Sequence, residues 1–236
     1  MIPSATAKWD SNFRTDRPIL VQNDRLLDGI SIMSPGKRAI FEGYGAVSDA
    51  WIERGEAISS PSMFAPVIDL LPSEPVRAID IGAGSGRDAA WLAGLGHRVV
   101  AVEPVDRLRQ AGMSRHRAEI IDWRSGALPD LGAIAERNAF DLVLVIGVWQ
   151  HLEAPDQAQA MRRLGEIAAP GALAVMALRH GPGAPARPVY PIDVDATLAN
   201  ARVAGFRLER RRRAESMQVA NRAAGVEWTW LALRRQ

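Results

Sequence analysis

The chain has 236 residues, 47% hydrophobic and 24% charged, enough to bury the core of one α/β domain with an appendage and too apolar for a disordered protein. Lys+Arg 29 against Asp+Glu 27 leaves a formal charge of +2, which by itself marks no nucleic-acid footprint. There is no cysteine, which excludes disulfides, thiolate zinc or iron–sulfur sites, and any mechanism with a cysteine nucleophile.

Taken in chain order, the N-terminus MIPSATAKWDSNFR has no signal-peptide apolar core, and no apolar run nears the roughly 20 residues of a membrane span. A cytoplasmic protein without membrane contact is the expectation. Residues 1–74 form an irregular cap or lid segment with Trp9, Phe13, Phe41, Tyr44, Trp51 and Phe64 scattered among charges. Pro72-Ser-Glu-Pro75 then opens a domain over 75–236, where β-branched runs alternate with Ala- and Leu-rich stretches, the pattern of a parallel sheet with crossover helices. Strands are expected at 76–81, 98–102, 119–121, 140–146 and 172–178. The helices between them are expected at 87–94, 105–112, 131–137 and 155–168. A helix at 194–204 leads to strands at 206–213 and 226–234, separated by a stretch too short and polar for a secure crossover helix. That last pair is therefore expected to run antiparallel.

The richest stretch is Val76-Arg-Ala-Ile-Asp-Ile-Gly-Ala-Gly-Ser-Gly-Arg-Asp88. A buried strand enters Gly82-x-Gly84-x-Gly86, and a helix follows at once. Glycines here let the backbone approach a ligand and take positive φ. The spacing is GxGxG and not the GxGxxG of dinucleotide sites. Asp80, two positions before the first glycine, would repel a pyrophosphate but could orient a cationic amino group. The second strand ends in Glu103-Pro104, 21 positions after Gly82, where an acid can hydrogen-bond ribose hydroxyls. As the end of a strand, Glu103 is expected to be exposed; its alternative role is to cap the next helix.

Asp-x-Gly-x-Gly-x-Gly followed by a strand ending in Glu resembles the first two motifs of the class I S-adenosylmethionine-dependent methyltransferases, of the small-molecule type. The likeness runs from about Tyr44 to the C-terminus. It includes Phe140-Asp-Leu-Val-Leu-Val-Ile-Gly-Val-Trp-Gln-His-Leu152 and Ala169-Pro-Gly-Ala-Leu-Ala-Val-Met176. The resemblance implies a Rossmann-like, doubly wound seven-stranded α/β sheet with a C-terminal antiparallel pair and a short N-terminal helical cap. It also implies S-adenosyl-L-methionine as cofactor, on Tyr44, Asp80, Gly82, Ala83, Gly84, Gly86, Glu103 and Pro104, with a backbone carbonyl of Ile146 or Gly147 for the methionine amino group. Many relatives place an acid or amide after the third strand for adenine. Here Asp122-Trp-Arg-Ser-Gly-Ala-Leu-Pro129 leaves that contact to backbone groups of Ala127 and Leu128, or to Asp122.

Methyl transfer needs an in-line acceptor, a desolvated pocket and sometimes a base. His151 is the candidate base, because its ordinary pKa lies near neutrality; it could equally anchor its loop. Trp149 in the same loop, with Arg179, His180 and Tyr190 after the fifth strand, is expected to line the acceptor site, although the latter three could be incidental to a surface loop. Four arginines at 210–213 alternate across a strand, which suits a solvated sheet edge. Glu153 and Asp156 lack a third ligand, so no metal is expected. The expected activity is transfer of a methyl group to an O or N atom of a small molecule. Nucleic-acid base methylation is disfavoured, since Gly-Val-Trp-Gln replaces the Asn/Asp-Pro-Pro-aromatic motif. A protein acceptor, a non-catalytic cofactor-binding protein on the same fold, and a homo-oligomer remain open.

Overall fold

The computed structural model describes residues 34–236. Residues 1–33 of the expected cap, with Trp9 and Phe13, lie outside the described residues. Three short helices come first: α1 (Pro35–Gly45), α2 (Asp49–Glu56) and α3 (Ser60–Met63). Each begins on a serine whose hydroxyl accepts an N–H three residues on, Ser34 from Lys37, Ser48 from Trp51 and Ser59 from Ser62. Proline in the first turn of α1 and α3 adds a preset φ.

The domain then alternates β1 (Arg77–Ile81), α4 (Arg87–Gly94), β2 (Arg98–Val102), α5 (Asp106–Arg115), β3 (Ile121–Arg124), β4 (Phe140–Ile146), α6 (Ala154–Ile167) and β5 (Ala168–His180). It ends on α7 (Val194–Val203), β6 (Phe206–Glu215), α8 (Val219–Ala223) and β7 (Glu227–Arg235). These strands make one seven-stranded sheet in the order β3-β2-β1-β4-β5-β7-β6. The first five are parallel, and β7 inserts antiparallel between β5 and β6. Chain order reverses between β1 and β4, so the crevice of a doubly wound sheet opens at their carboxyl ends.

Strand alternation sorts the core. Ile79, Ile81, Val100, Val143 and Val145 pack with Met161 and Leu164 of α6 on one face. Ala78, Val99, Ala101, Leu142 and Leu144 pack with Ala89 and Leu92 of α4, Phe64 and Val67 on the other. Both faces are covered, which is why the central strands are apolar apart from Arg77 and Asp80 of β1 and Asp141 of β4.

Three expectations shift. The helix at 131–137 is instead a set of turns, with Leu131 at φ 54° and Asn138 at φ 47°. Leu128, Leu131 and Ile134 mimic helical spacing, but each is drawn separately into the core. The third strand starts at Ile121, because Ile120 is 93% exposed and belongs to the approach. The polar link 214–225 does hold a helix, the five-residue α8. At the β6 edge, Arg210 bonds Asp69 while Arg211 bonds Asp195 of α7 at 3.1 Å, so neighbouring arginines serve different elements.

Candidate active site

The turn after β1 takes Gly82, Gly84 and Gly86 at φ 73°, 59° and 89°. Side chains are excluded at two of them for separate reasons. A Cβ on Gly82 would lie 2.3 Å from the Val148 side chain, and one on Gly86 2.5 Å from the Trp123 ring. Gly82 therefore lets the β4 loop approach, while Gly86 and Gly112 let Trp123 wedge between the glycine loop and α5. The loop's amides are committed inside the fold. Gly82 and Ala83 donate to the Val102 carbonyl at 2.8 and 3.1 Å, Gly84 to Glu103 Oε2 at 2.8 Å, and Gly86 to the Ala83 carbonyl at 2.9 Å.

Glu103 is 4% exposed, a correction to the exposed strand end expected from sequence. Its second oxygen, Oε1, accepts from Val105 N at 2.9 Å. Burial pushes its carboxyl up, and the Val105 and Gly84 N–H groups and Arg109 oppose that shift. Each carboxylate oxygen has one backbone donor and a lone pair to spare. Glu103 and Pro104 line a cleft with Gly82, Gly84, Ala127, Leu128, Ile146, Gly147, Tyr44 and His151. Lys37, Ile40, Phe41 and Trp51 of the cap complete it, together with Val105 and Leu108 of the β2–α5 segment. The space enclosed is about 230 Å³, because α1 and α2 sit over it.

His151 lines the same cleft. Its Nδ1 lies 3.0 Å from the Pro188 carbonyl, which can only accept, so Nδ1 carries the proton. Nε2 therefore accepts from the Tyr44 hydroxyl at 3.0 Å. Burial holds the imidazole pKa below its ordinary value, and Arg179 and Arg187 lower it further. The Arg187 guanidinium lies 5.1 Å from the Tyr44 ring centre and 5.3 Å from that of Trp51. Gly43 makes this contact feasible, since a Cβ there would meet the Ala186 carbonyl at 1.8 Å.

Not every expected residue reaches the cleft. Asp80 is buried and does not line the cleft; burial and the neighbouring Asp88 raise its carboxyl well above the usual range. Ala83 packs into the core beside α4, and Gly86 is buried against Trp123. Asp122 is exposed and bonds Arg124 at 2.6 Å, away from an adenine role. Trp149 is corrected from the acceptor site to the core: it is fully buried, and its Nε1 donates to Thr197. Arg179, His180 and Tyr190 line a separate cavity that shares no lining residue with the cleft. There His180 bonds Thr229 at 2.9 Å and Tyr190 donates to Glu153 at 3.1 Å. Sequence reasoning missed Arg187, whose only signal was its place in the Pro/Gly loop after β5.

Among the described residues no helix is long and apolar enough to cross a membrane, and no group of three His, Asp or Glu could hold a metal ion.

Residues 79–176 match the family model described as methyltransferase domain. Over that stretch the chain is similar to the methyltransferase domains of this family. The chain is 36% identical over 106 residues to a ubiquinone biosynthesis O-methyltransferase of Methylocella silvestris, covering 43% of this chain and 39% of that one. The chain spans from about two fifths to about half of the length of curated relatives that it matches. In structure, the fold is shared with the magnesium protoporphyrin IX methyltransferase of Synechocystis (TM-score 0.67, 11% identity, 87% of this chain and 99% of that chain). It is shared also with the 1,6-didemethyltoxoflavin-N1-methyltransferase of Burkholderia thailandensis (TM-score 0.62, 21% identity, 94% and 93%). The domain thus has the Rossmann-like methyltransferase sheet with its antiparallel C-terminal strands.

Proposed function

We propose that this domain binds S-adenosyl-L-methionine in the β1–β4 cleft and transfers its methyl group to an O or N atom of a small molecule. The observation that carries this is the donor–acceptor balance of the loop. Four of its N–H groups are consumed internally, and the cleft instead presents a buried carboxylate. A pyrophosphate needs free N–H donors at this turn; a ribose diol needs acceptors. Glu103 supplies them, held by two backbone bonds. Leu128 and Val105 give an apolar bed for a purine, and the Ala127 and Leu128 backbone is the source of adenine contacts in this reading. Ile146 or Gly147 offers a carbonyl to the amino end; that of Gly147 already accepts from the Gln150 amide and keeps one lone pair. The bound cofactor supplies a sulfonium-activated methyl group.

The protein's part in the chemistry is positioning and dehydration. The cap helices exclude water, and His151 fixes the Tyr44 hydroxyl over the cleft. Where the acceptor must lose a proton, the route runs through Tyr44: its oxygen takes the acceptor's proton as its own passes to His151 Nε2. His151 is then doubly protonated, with Nδ1–H still on Pro188. Its depressed pKa makes it a weak base, so positioning dominates. Titration calorimetry with S-adenosylhomocysteine and NAD tests the assignment. Binding of the sulfur nucleoside alone is expected; binding of NAD alone refutes it.

A further inference from the structure

A second cavity, of about 430 Å³, adjoins the cleft and shares Trp51 and Ile146 with it. Apart from those two residues, its walls come from positions that the cofactor reading leaves unused. Trp228 and Trp230 of β7 line it together with Met63 of α3 and Met217 of the segment after β6. Three of the chain's seven tryptophans therefore face one trough. Trp230 is a fixed wall, buried and packed edge-on to Phe64 with ring centres 5.3 Å apart. Trp228 reaches toward the cleft, since a Cβ on Gly147 would lie 3.3 Å from its ring edge.

The charge balance narrows the occupant. Arg87 is the cation at this trough, and it is already spent. Its Nε and Nη2 donate to both oxygens of Asp88 at 2.9 and 2.8 Å, and Nη1 donates to the Gly55 carbonyl at 3.1 Å. Asn221 likewise donates to Gln218 at 3.0 Å. What remains is chiefly aromatic and thioether surface, which binds a flat π-face best, beside the Glu215 carboxylate and the Ser62 and Ser216 hydroxyls; with no free cation and one anion in the wall, a carboxylate or phosphate is disfavoured. The arginine-bearing cavity at Arg179 does not share a wall with the cleft.

We propose that this trough is the acceptor subsite and that it takes a neutral, planar aromatic molecule of about two fused rings. The proposal rests on the methyl-transfer reading above, and one titration series separates the two. The protein is first saturated with S-adenosylhomocysteine, then titrated with 2-naphthol, 2-naphthoate and decalin-2-ol, following tryptophan fluorescence and heat. The expected order places 2-naphthol roughly tenfold or more ahead of both others, a preference worth about 1.4 kcal/mol. Met217→Glu, at a residue 47% exposed and so tolerant of charge, should weaken 2-naphthol at least fivefold with S-adenosylhomocysteine affinity unchanged. Trp228→Ala should weaken it further. Tighter or equal binding of 2-naphthoate or decalin-2-ol overturns the subsite, as does unaltered 2-naphthol affinity in a folded Met217→Glu protein. Absence of any S-adenosylhomocysteine binding overturns the methyl-transfer reading and this subsite with it.

Discussion

Glu103 offers a direct test of how one carboxylate serves fold and cleft together. In Glu103→Gln the amide oxygen can accept from Gly84 N or from Val105 N, but the NH2 group must face the other donor. One buried N–H is orphaned, at a cost of about 1–3 kcal/mol of stability. Glu103→Ala orphans both, for roughly 2–6 kcal/mol, and opens a void beneath the loop. Losing hydrogen bonds from a charged acceptor should also cost about 1.5–3 kcal/mol of cofactor affinity, roughly 10- to 150-fold. Urea denaturation gives the first quantity, and calorimetry with S-adenosylhomocysteine on the folded Gln protein gives the second. The reasoning predicts the order wild type, Gln, Ala in stability. An Ala variant with the wild-type midpoint would show that the two N–H groups do not depend on this carboxylate. A folded Gln variant with wild-type affinity would remove Glu103 from the cofactor site.

Burial and Asp88 raise the Asp80 carboxyl well above 3.8, so the folded chain keeps a proton that the unfolded chain releases. That group's contribution therefore erodes stability as pH rises from about the unfolded value through the folded one. Asp80→Asn, whose side-chain oxygen can still accept from Ala89 N, should melt no lower than wild type at about pH 8 and show a flatter pH profile; a clearly lower melting temperature there would contradict the buried neutral acid. Tyr44→Phe and His151→Ala should each reduce turnover, the latter by roughly 10²–10⁴-fold if proton transfer is needed, with cofactor affinity nearly intact; near-normal turnover in both folded variants leaves proximity alone as the account. Gly43→Ala drives a Cβ into the Ala186 carbonyl and should cost about 1–3 kcal/mol; wild-type stability in urea would mean that the cap and the β5 loop do not touch as described.

The sheet was legible because its signals are local. Apolar runs bounded by glycine gave β2 and β4 to the residue, and the GxGxG turn announced where the chain meets a ligand. The cap read as irregular, yet its serines at 34, 48 and 59 each stand at a helix start, a capping signal that its scattered charges obscured. The acceptor residues were misplaced for a different reason. Trp149 and His151 are two positions apart in one loop, and only the 3₁₀ turn at Trp149–His151 sends one into the core and the other to the cleft. Arg187 could not be found by spacing, because its contact with Tyr44 joins residues 143 positions apart.

Among the bonds that hold the cap to the domain, some reach three different parts of the site. Glu56 of α2 accepts from Ser85 in the glycine loop at 2.5 Å and lies 3.3 Å from His116 of α5. Arg107 of α5 donates to the Val47 carbonyl between α1 and α2 at 2.8 Å. Tyr44 of α1 bonds His151 after β4. The cleft beneath holds about 230 Å³, with α1 and α2 over it. In the proposed transfer the proton passes through Tyr44 only while its hydroxyl is bonded to His151, so the contact that holds the cap over the cleft is also the one that completes the route.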